Sequence, residues 1–369
     1  MSSVIIAGDT SGTVTLQAPA AAGSTVINLP AVNGTAVVNS NATNVLAEAQ
    51  GGTGTTTGYY GFKNRIINGA MMIDQRKAGA SVTASTVGAF TYTLDRFAYA
   101  ASQASKFTIQ QNAGSVSLPA GFVSYLGATV GAAANVTVGA NDYFSLNQII
   151  EGFNISDLGW GTANAQSVTL TFKVYSSLTG TFGGVLSNNT GYSYPFTYSI
   201  SSANTWTTIS VTVTGPTSGT WLANNGTGIR VIWDLGTGSS GRGTAGAWAS
   251  TAYIGATGAT NWISTNSATF YITGVQLEKG STATSFDYRP YGTELQLCQR
   301  YYVNAPVFTF VYNAGAYSGV QFPVTMRAAP TVTATPSSGT VSNYAISTMG
   351  FTSTNTTLAN AAYVASSEL

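Results

Sequence analysis

The chain has 369 residues, of which only 7% are charged against roughly 25% in ordinary soluble domains, and its net charge is +1. That balance gives no electrostatic case for nucleic acid or an anionic membrane surface, and no window of ~18 apolar residues offers a membrane span. With 11% aromatic residues the chain is not of the disordered type, and with no histidine it lacks His-based nucleophile activation and most zinc sites.

Residues 1–62 carry only Asp9 and Glu48 as charges. The start, Met1-Ser2-Ser3-Val4-Ile5-Ile6, has no basic residue and no long apolar core, so it does not read as a secretory signal. A repeat follows. Gly12-Thr13, Gly23-Ser24 and Gly34-Thr35 open three copies, spaced eleven residues apart. Leu16, Ile27 and Val38 hold one apolar column, Gln17, Asn28 and Asn39 an amide column, and Pro19 and Pro30 close the first two copies. Each copy predicts one short strand between a Gly turn and a Pro turn. Three such strands bury little alone, so they call for neighbours, either other chains or a docking partner. Gly51–Gly58 is Gly/Thr-rich and predicts a hinge between this segment and a globular body.

From 63 to 291 the pattern is short strands divided by Gly, Asn, Ser and Thr clusters. Val168, Leu170, Phe172 and Val174 alternate with polar neighbours, as do Ile209, Val211 and Val213. Ile229, Val231, Trp233 and Leu235 alternate with Arg230, Ile232 and Asp234. These are period-two strands with one buried face, and their number predicts a two-sheet sandwich of the jelly-roll kind. Charge gathers at the two ends of the body: Lys63, Arg65, Asp74, Arg76 and Lys77 at the start, Glu278, Lys279, Asp287, Arg289, Glu294 and Arg300 at the finish. The two groups either meet as ion pairs at a junction or form separate solvated patches.

Residues 292–369 form a third segment. Glu294–Arg300 predicts a short helix with Leu295 and Cys298 on one face, and Cys298, the single cysteine, as a small buried apolar residue. Val307–Tyr312, Val320–Val324, Thr331–Thr335, Val341–Ser347 and Tyr363–Ala365 predict strands, kept short or at edges by four prolines. Residues 328–367 carry no charge, which predicts a small β unit stabilised by copies of itself. The expected class is therefore all-β: a repeat segment of short strands (1–62), a jelly-roll β-sandwich body (63–291) and a short helix with a small C-terminal β domain (292–369).

Three stretches resemble bacteriophage tail fibre proteins. Asn64-Arg65-Ile66-Ile67-Asn68-Gly69 through Gln75-Arg76 is similar to the opening of a body domain common in that family. Val275-Gln276-Leu277-Glu278-Lys279-Gly280 and Ser285-Phe286-Asp287-Tyr288-Arg289-Pro290 are similar to its end. Leu297-Cys298-Gln299-Arg300-Tyr301-Tyr302 and Phe322-Pro323 through Ala329-Pro330 are similar to the segment beyond it, and the N-terminal repeat with Ala49-Gln50-Gly51-Gly52-Thr53-Gly54 to tail fibre N-termini. The resemblance implies a virion protein that assembles as a homotrimer, docks to other virion structural proteins through 1–62 and binds host surface glycans. An externally exposed β protein without an export signal fits a particle released by lysis. A capsid head fibre is the alternative in the same particle, a polysaccharide-degrading tailspike enzyme the alternative of another class, and a secreted cellular sugar-binding module a third.

The family's body domain resembles jelly-roll carbohydrate-binding modules, some of which hold a structural calcium. Asp74, Asp287 and Glu278 are hard oxygen groups of the right type, but no dense carboxylate loop surrounds them, so no metal or cofactor is expected. No enzyme is expected either: paired carboxylates are wanted for glycoside hydrolysis, the chain holds only 12 Asp and Glu, and Asp95-Arg96 predicts an ion pair. Gly236–Gly243 lacks the Gly-Lys-[Ser/Thr] ending of a phosphate loop and predicts a long exposed loop. For a ligand surface the expectation falls on Trp248 and Trp262, in loops poor in other large apolar residues, with Asn261 and Arg242 as polar help. Sugars stack their apolar faces on such rings while amides read their hydroxyls. The opposing reading has both rings covering the ends of the sandwich.

Overall fold

Alternation of apolar and polar residues builds the body. The computed structural model describes residues 3–7, 13–17, 62–134, 136–310, 318–355 and 359–369. The chain divides into two compact units, Met1–Thr56 and Thr57–Leu369. In the first, β1 (Ser3–Ala7) pairs antiparallel with β2 (Thr13–Gln17), Ser3 opposite Gln17 and Ala7 opposite Thr13. β2 is the strand of the first repeat copy. The second and third copies and the Gly51–Gly58 hinge lie outside the described residues.

The second unit opens with β3 (Val82–Thr83), β4 (Thr91–Leu94), β5 (Phe97–Ala101), β6 (Phe107–Gln111), β7 (Leu126–Val130) and β8 (Tyr143–Glu151). It continues through β9 (Val168–Ser176), β10 (Gly180–Ser187), β11 (Ser193–Ile200), β12 (Thr207–Val213), β13 (Thr227–Thr237), the two-residue β14 (Arg242–Gly243) and β15 (Gly255–Ala256), and β16 (Thr269–Lys279). Ten of these strands and the short β3 and β4 form two six-stranded antiparallel sheets, ordered β11-β10-β13-β8-β5-β4 and β12-β9-β16-β7-β6-β3. This is the expected sandwich.

Val168, Leu170, Phe172 and Val174 of β9 and Ile229, Val231, Trp233 and Leu235 of β13 all point into one core with Phe97, Tyr99, Phe144 and Leu146. Each large side chain so buried contributes about 1.5–3 kcal/mol. Trp233 packs between Phe97 and Phe172, at 5.9 Å from the latter and nearly perpendicular to it. At Gly274 a bulge in β16 turns the backbone to φ +61, and a side chain there would strike the Phe122 ring.

The central strands depart from simple one-face burial. Ser145, Asn147 and Asp234 point away from the core yet are almost fully buried. Loops fold over the outer face of the first sheet: β14 and β15 pair in parallel, and Gly183 and Gly255 leave room for this ribbon to lie on β10 and β13. Asp234 is trapped beneath it. Its Oδ1 accepts from the Gly236 amide and the Thr237 hydroxyl, both at 2.8 Å, while Oδ2 has no hydrogen-bond partner and lies 3.8 Å from the Arg242 guanidinium. Burial pushes Asp234 up to about 6, against the pull of Thr237, Arg242 and the Gly236 amide. The folded state therefore holds this proton more tightly than the unfolded chain, so the group's contribution to stability is greatest below the unfolded value of 3.8 and is lost as pH rises through about 6. Asp234→Asn is expected to remove a loss on the order of 3 kcal/mol across that window. Urea melts of both proteins at pH 4 and pH 7 measure it, and an unchanged difference between them would sink the assignment.

The two charged groups at the body's ends do meet, mainly through backbone contacts. The Asn64 amide donates to Asp287 at 3.1 Å, the Asn68 amide donates to Glu294, and the Arg289 guanidinium donates to the Asn64 and Ile66 carbonyls. Arg65 and Lys279, one from each group, share Asp157 at 2.8 and 3.7 Å. Asp74 caps its own turn, accepting from the amides of Arg76, Lys77 and Gly79, and Glu278 accepts from Thr284. Asp95 does not pair with Arg96, contrary to expectation. Its oxygens accept from the Gln75 amide at 2.7 Å and the Gln75 side chain at 2.6 Å, and burial pushes it up to about 6.

Beyond the body, α1 (Tyr291–Gln299) buries Cys298 as expected, against Ile67, Ile73 and Tyr301. β17 (Tyr302–Phe310), β18 (Ser318–Gln321), β19 (Thr331–Pro336), β20 (Val341–Tyr344), β21 (Gly350–Asn355) and β22 (Ala359–Ser366) then make two three-stranded sheets, ordered β17-β22-β19 and β18-β21-β20. β17 continues past Pro306 through a bulge between Ala305 and Phe308. β21, with its Gly, Thr, Ser and Asn, carries no strand pattern in the sequence. This segment is tied to the body by charge: Glu151 on β8 accepts from Arg300 at 2.5 Å and from the Tyr301 hydroxyl at 2.6 Å, and Glu368 reaches Arg76 and Arg96. Among the described residues no helix is long and apolar enough to cross a membrane.

Candidate functional site

The outer face of the first sheet carries a groove of about 350 Å³. Its floor comes from alternation on four adjacent strands, β10, β13, β8 and β5. Because Phe144 and Leu146 of β8 point to the core, Tyr143, Ser145 and Asn147 point out. Register places Asn147 between Ala98 and Ile232, and Ser187 beside Arg230. Ser145 and Asn147 bond one another at 2.9 Å.

Loops make the walls. Residues 86–90 bring in Phe90. Their path is set by the Thr86 amide on the Tyr99 hydroxyl at 3.0 Å, the Gly88 amide on the Ala101 carbonyl at 3.0 Å and a left-handed turn at Gly88, φ +76. Residues 188–191 are shaped by Asn188, whose oxygen accepts from the Thr190 and Tyr192 amides and whose NH₂ donates to the Thr220 carbonyl. Residues 252–254 bring in Tyr253. The Ser193 hydroxyl donates to the Thr251 carbonyl at 2.5 Å, and the Tyr253 ring lies across Gly243, where any side chain would collide with it. Phe90, Tyr143 and Tyr253 are each half-buried, leaving ring surface open to the groove. Three half-buried rings, the exposed Asn189 amide and the Arg230 guanidinium together offer stacking faces and polar groups over a floor of buried serine and asparagine side chains. That is chemistry suited to a polyhydroxylated ligand with apolar ring faces.

The residues expected from sequence do not converge here. Trp262 is fully buried, on a short 3₁₀ turn that tucks it against Phe107 and Phe270. This corrects the expectation of an exposed ring: the loop around it is small and polar, but Ile263 beside it is core as well. Trp248 is half-buried in a different place, edge-on to Trp160 and Trp221 and parallel to Tyr192 at 5.6 Å, with its Nε1 donating to the Thr214 carbonyl at 2.7 Å. Arg242 and Asn261 touch each other at 2.5 Å in a separate pocket of about 390 Å³, which no aromatic side chain lines. So the expected four residues fall into three separate settings. Phe90, Tyr143, Asn147 and Tyr253 were not anticipated. Arg230 carried a signal, a charge facing out from a strand whose alternate residues are all core. Among the described residues no cluster of three or more His, Cys, Asp or Glu side chains forms a metal site.

No known family and no curated protein matches the chain. Solved structures that resemble it include the enzymatically active domain of bacteriophage CBA120 tailspike protein 4, at a TM-score of 0.30 and 12% identity over 59% of this chain. That match spans 21% of the tailspike chain, about a fifth of its length. A CBM4 structure is similar at a TM-score of 0.27 and 12% identity, covering 57% of this chain and 97% of that one. The family 11 carbohydrate-binding module of Clostridium thermocellum, in complex with a mixed-linked tetrasaccharide, is similar at a TM-score of 0.28 and 8% identity, covering 54% of this chain and all of that one. TM-scores and identities this low carry no inference about ligand or activity.

Proposed function

We propose that this chain is a bacteriophage fibre-type receptor-binding protein that attaches a particle to host surface glycans by recognition, without cleaving them. The groove on the outer sheet face carries this reading, because its half-buried rings, the exposed Asn189 amide and the Arg230 guanidinium suit a sugar. The resemblance of Asn64–Arg76, Val275–Pro290 and Leu297–Tyr302 to phage fibre segments supports the virion setting, on tail or capsid. Assembly as a homotrimer docked through residues 1–62 would multiply weak sites into firm attachment.

Removing one stacking ring from such a site costs on the order of 1–3 kcal/mol, about tenfold or more in affinity. Tyr143→Ala and Tyr253→Ala are each expected to lower binding to host cells by that factor while shifting the melting temperature little. Retained binding by both folded variants would overturn the groove. Release of soluble fragments from host polysaccharide would overturn the non-enzymatic reading, and light scattering from a monomer would overturn the trimer.

A further inference from the structure

We infer that the groove selects an acidic saccharide, one bearing a carboxylate, and that Arg230 holds that carboxylate. This deepens the glycan reading and rests on it. Among the described residues Arg230 is the one charged side chain lining the groove, and no carboxylate lines it. It stands on the outward face of β13, opposite Ile149 and Ser187. Its Nη2 donates to the Asn189 side-chain oxygen, its guanidinium carbon sits 5.3 Å from the Phe90 ring centre, and its buried Nε has no hydrogen-bond partner.

The other arginines of the unit are treated differently. Arg65, Arg76, Arg96, Arg242, Arg289 and Arg300 each lie within 4 Å of a carboxylate. Arg327 donates to the carbonyls of Asn225, Ser367 and Glu368. Among the described residues Arg230 and Arg327 alone show no carboxylate within 4 Å, and where Arg327 is held by three backbone carbonyls, Arg230 has a neutral amide and a ring.

The charged and titratable groups on the elements around it are Asp234, Tyr92 and the groove tyrosines Tyr143 and Tyr253. Asp234 shares its face of β13 but lies four residues on, about 13 Å along the strand, and is engaged by Gly236 and Thr237. Tyr92 is close enough to oppose, without cancelling, the effect of burial, which draws the Arg230 pKa down. A part-buried cation without a counter-charge is costly for the free protein. The cost is recovered when a planar anion supplies the missing charge and accepts from the guanidinium fork, and a carboxylate fits that fork with two parallel hydrogen bonds. The rings of the groove and the Asn189 amide would hold the rest of the sugar.

The test uses the full chain and three polymers, polygalacturonate, alginate and hyaluronan, each beside its carboxyl-reduced neutral form. At least one acidic polymer is expected to bind tenfold or more tightly than its reduced form, with affinity that falls as salt rises. Arg230→Gln should erase that preference and Arg230→Lys restore only part of it, since a point charge lacks the fork. Arg230→Gln should also melt at or above the parent temperature, because it removes an uncompensated charge; a residue kept for structure would lower it. Equal binding of acidic and neutral forms with Arg230→Gln silent overturns the acidic class and leaves the groove standing. Binding that ignores Tyr143→Ala, or no binding to any of the six polymers, overturns the groove and this inference together.

Discussion

Trp262→Ala is expected to lower the unfolding free energy of the body by about 3–5 kcal/mol, the usual cost of deleting a large buried ring. The indole is fully buried and meets Phe107 and Phe270 edge-on, at 6.3 and 6.4 Å between ring centres. Truncation leaves a cavity beside Phe107 on β6 and Phe270 on β16, rings held in place by one sheet. Its Nε1 has no hydrogen-bond partner, so Trp262→Phe loses volume but no polar contact and should recover most of the stability. Trp248→Ala gives the contrast: its ring is half-buried, and its loss should cost visibly less. Denaturant melts of the three variants order them. A Trp262→Ala protein that melts like the parent would show the ring to be surface after all.

Glu368→Ala is expected to cost a comparable 3–5 kcal/mol, because it strands a buried charge. Glu368 accepts from Arg76 at 2.5 Å and pairs with Arg96, a side chain only 1% exposed. Arg96 is further boxed in by the Tyr301 ring, 3.6 Å from its guanidinium carbon, and Arg76 by the Tyr302 ring at 3.7 Å. The neighbouring backbone is held as well: Tyr92 donates to the Leu369 backbone oxygen at 3.1 Å, and Arg327 to the Ser367 and Glu368 carbonyls. With Glu368 gone, two guanidinium groups repel each other beside apolar walls. Hydrogen exchange should then speed first in β22 and β17, which these contacts hold against the body. Glu368→Gln keeps the shape without the charge and should fall between the two. A variant with unchanged melting and exchange would mean that solvent, not Glu368, neutralises Arg96.

β9 and β13 were readable because alternation is local: Val168 to Val174 and Ile229 to Leu235 declare a face without knowing what covers it. The α1 helix was readable for the same reason, and Cys298 as its buried residue. Strand β21 was not, since Gly350-Phe351-Thr352-Ser353-Thr354-Asn355 holds one large apolar residue and draws its stability from β18 and β20 on either side.

Ring exposure is legible on a strand, where Trp233 shares the core face of β13, but not in the loops. Trp248 and Trp262 sit in loops of similar composition, yet a 3₁₀ turn carries one into the core and leaves the other at an edge. The charge at Asp95 was assigned to its neighbour Arg96, but the backbone at Arg96, with φ +67, accompanies a guanidinium that goes to Glu368, 272 residues away in sequence. By itself the sequence determined the all-β class, the sandwich and the outward place of Arg230, because those follow from a two-residue period and from the exclusion of charge from a core. The groove was decided by tertiary structure alone. Its residues come from four strands and three loops, 88 to 254, and only sheet register and loop anchoring bring them to one face.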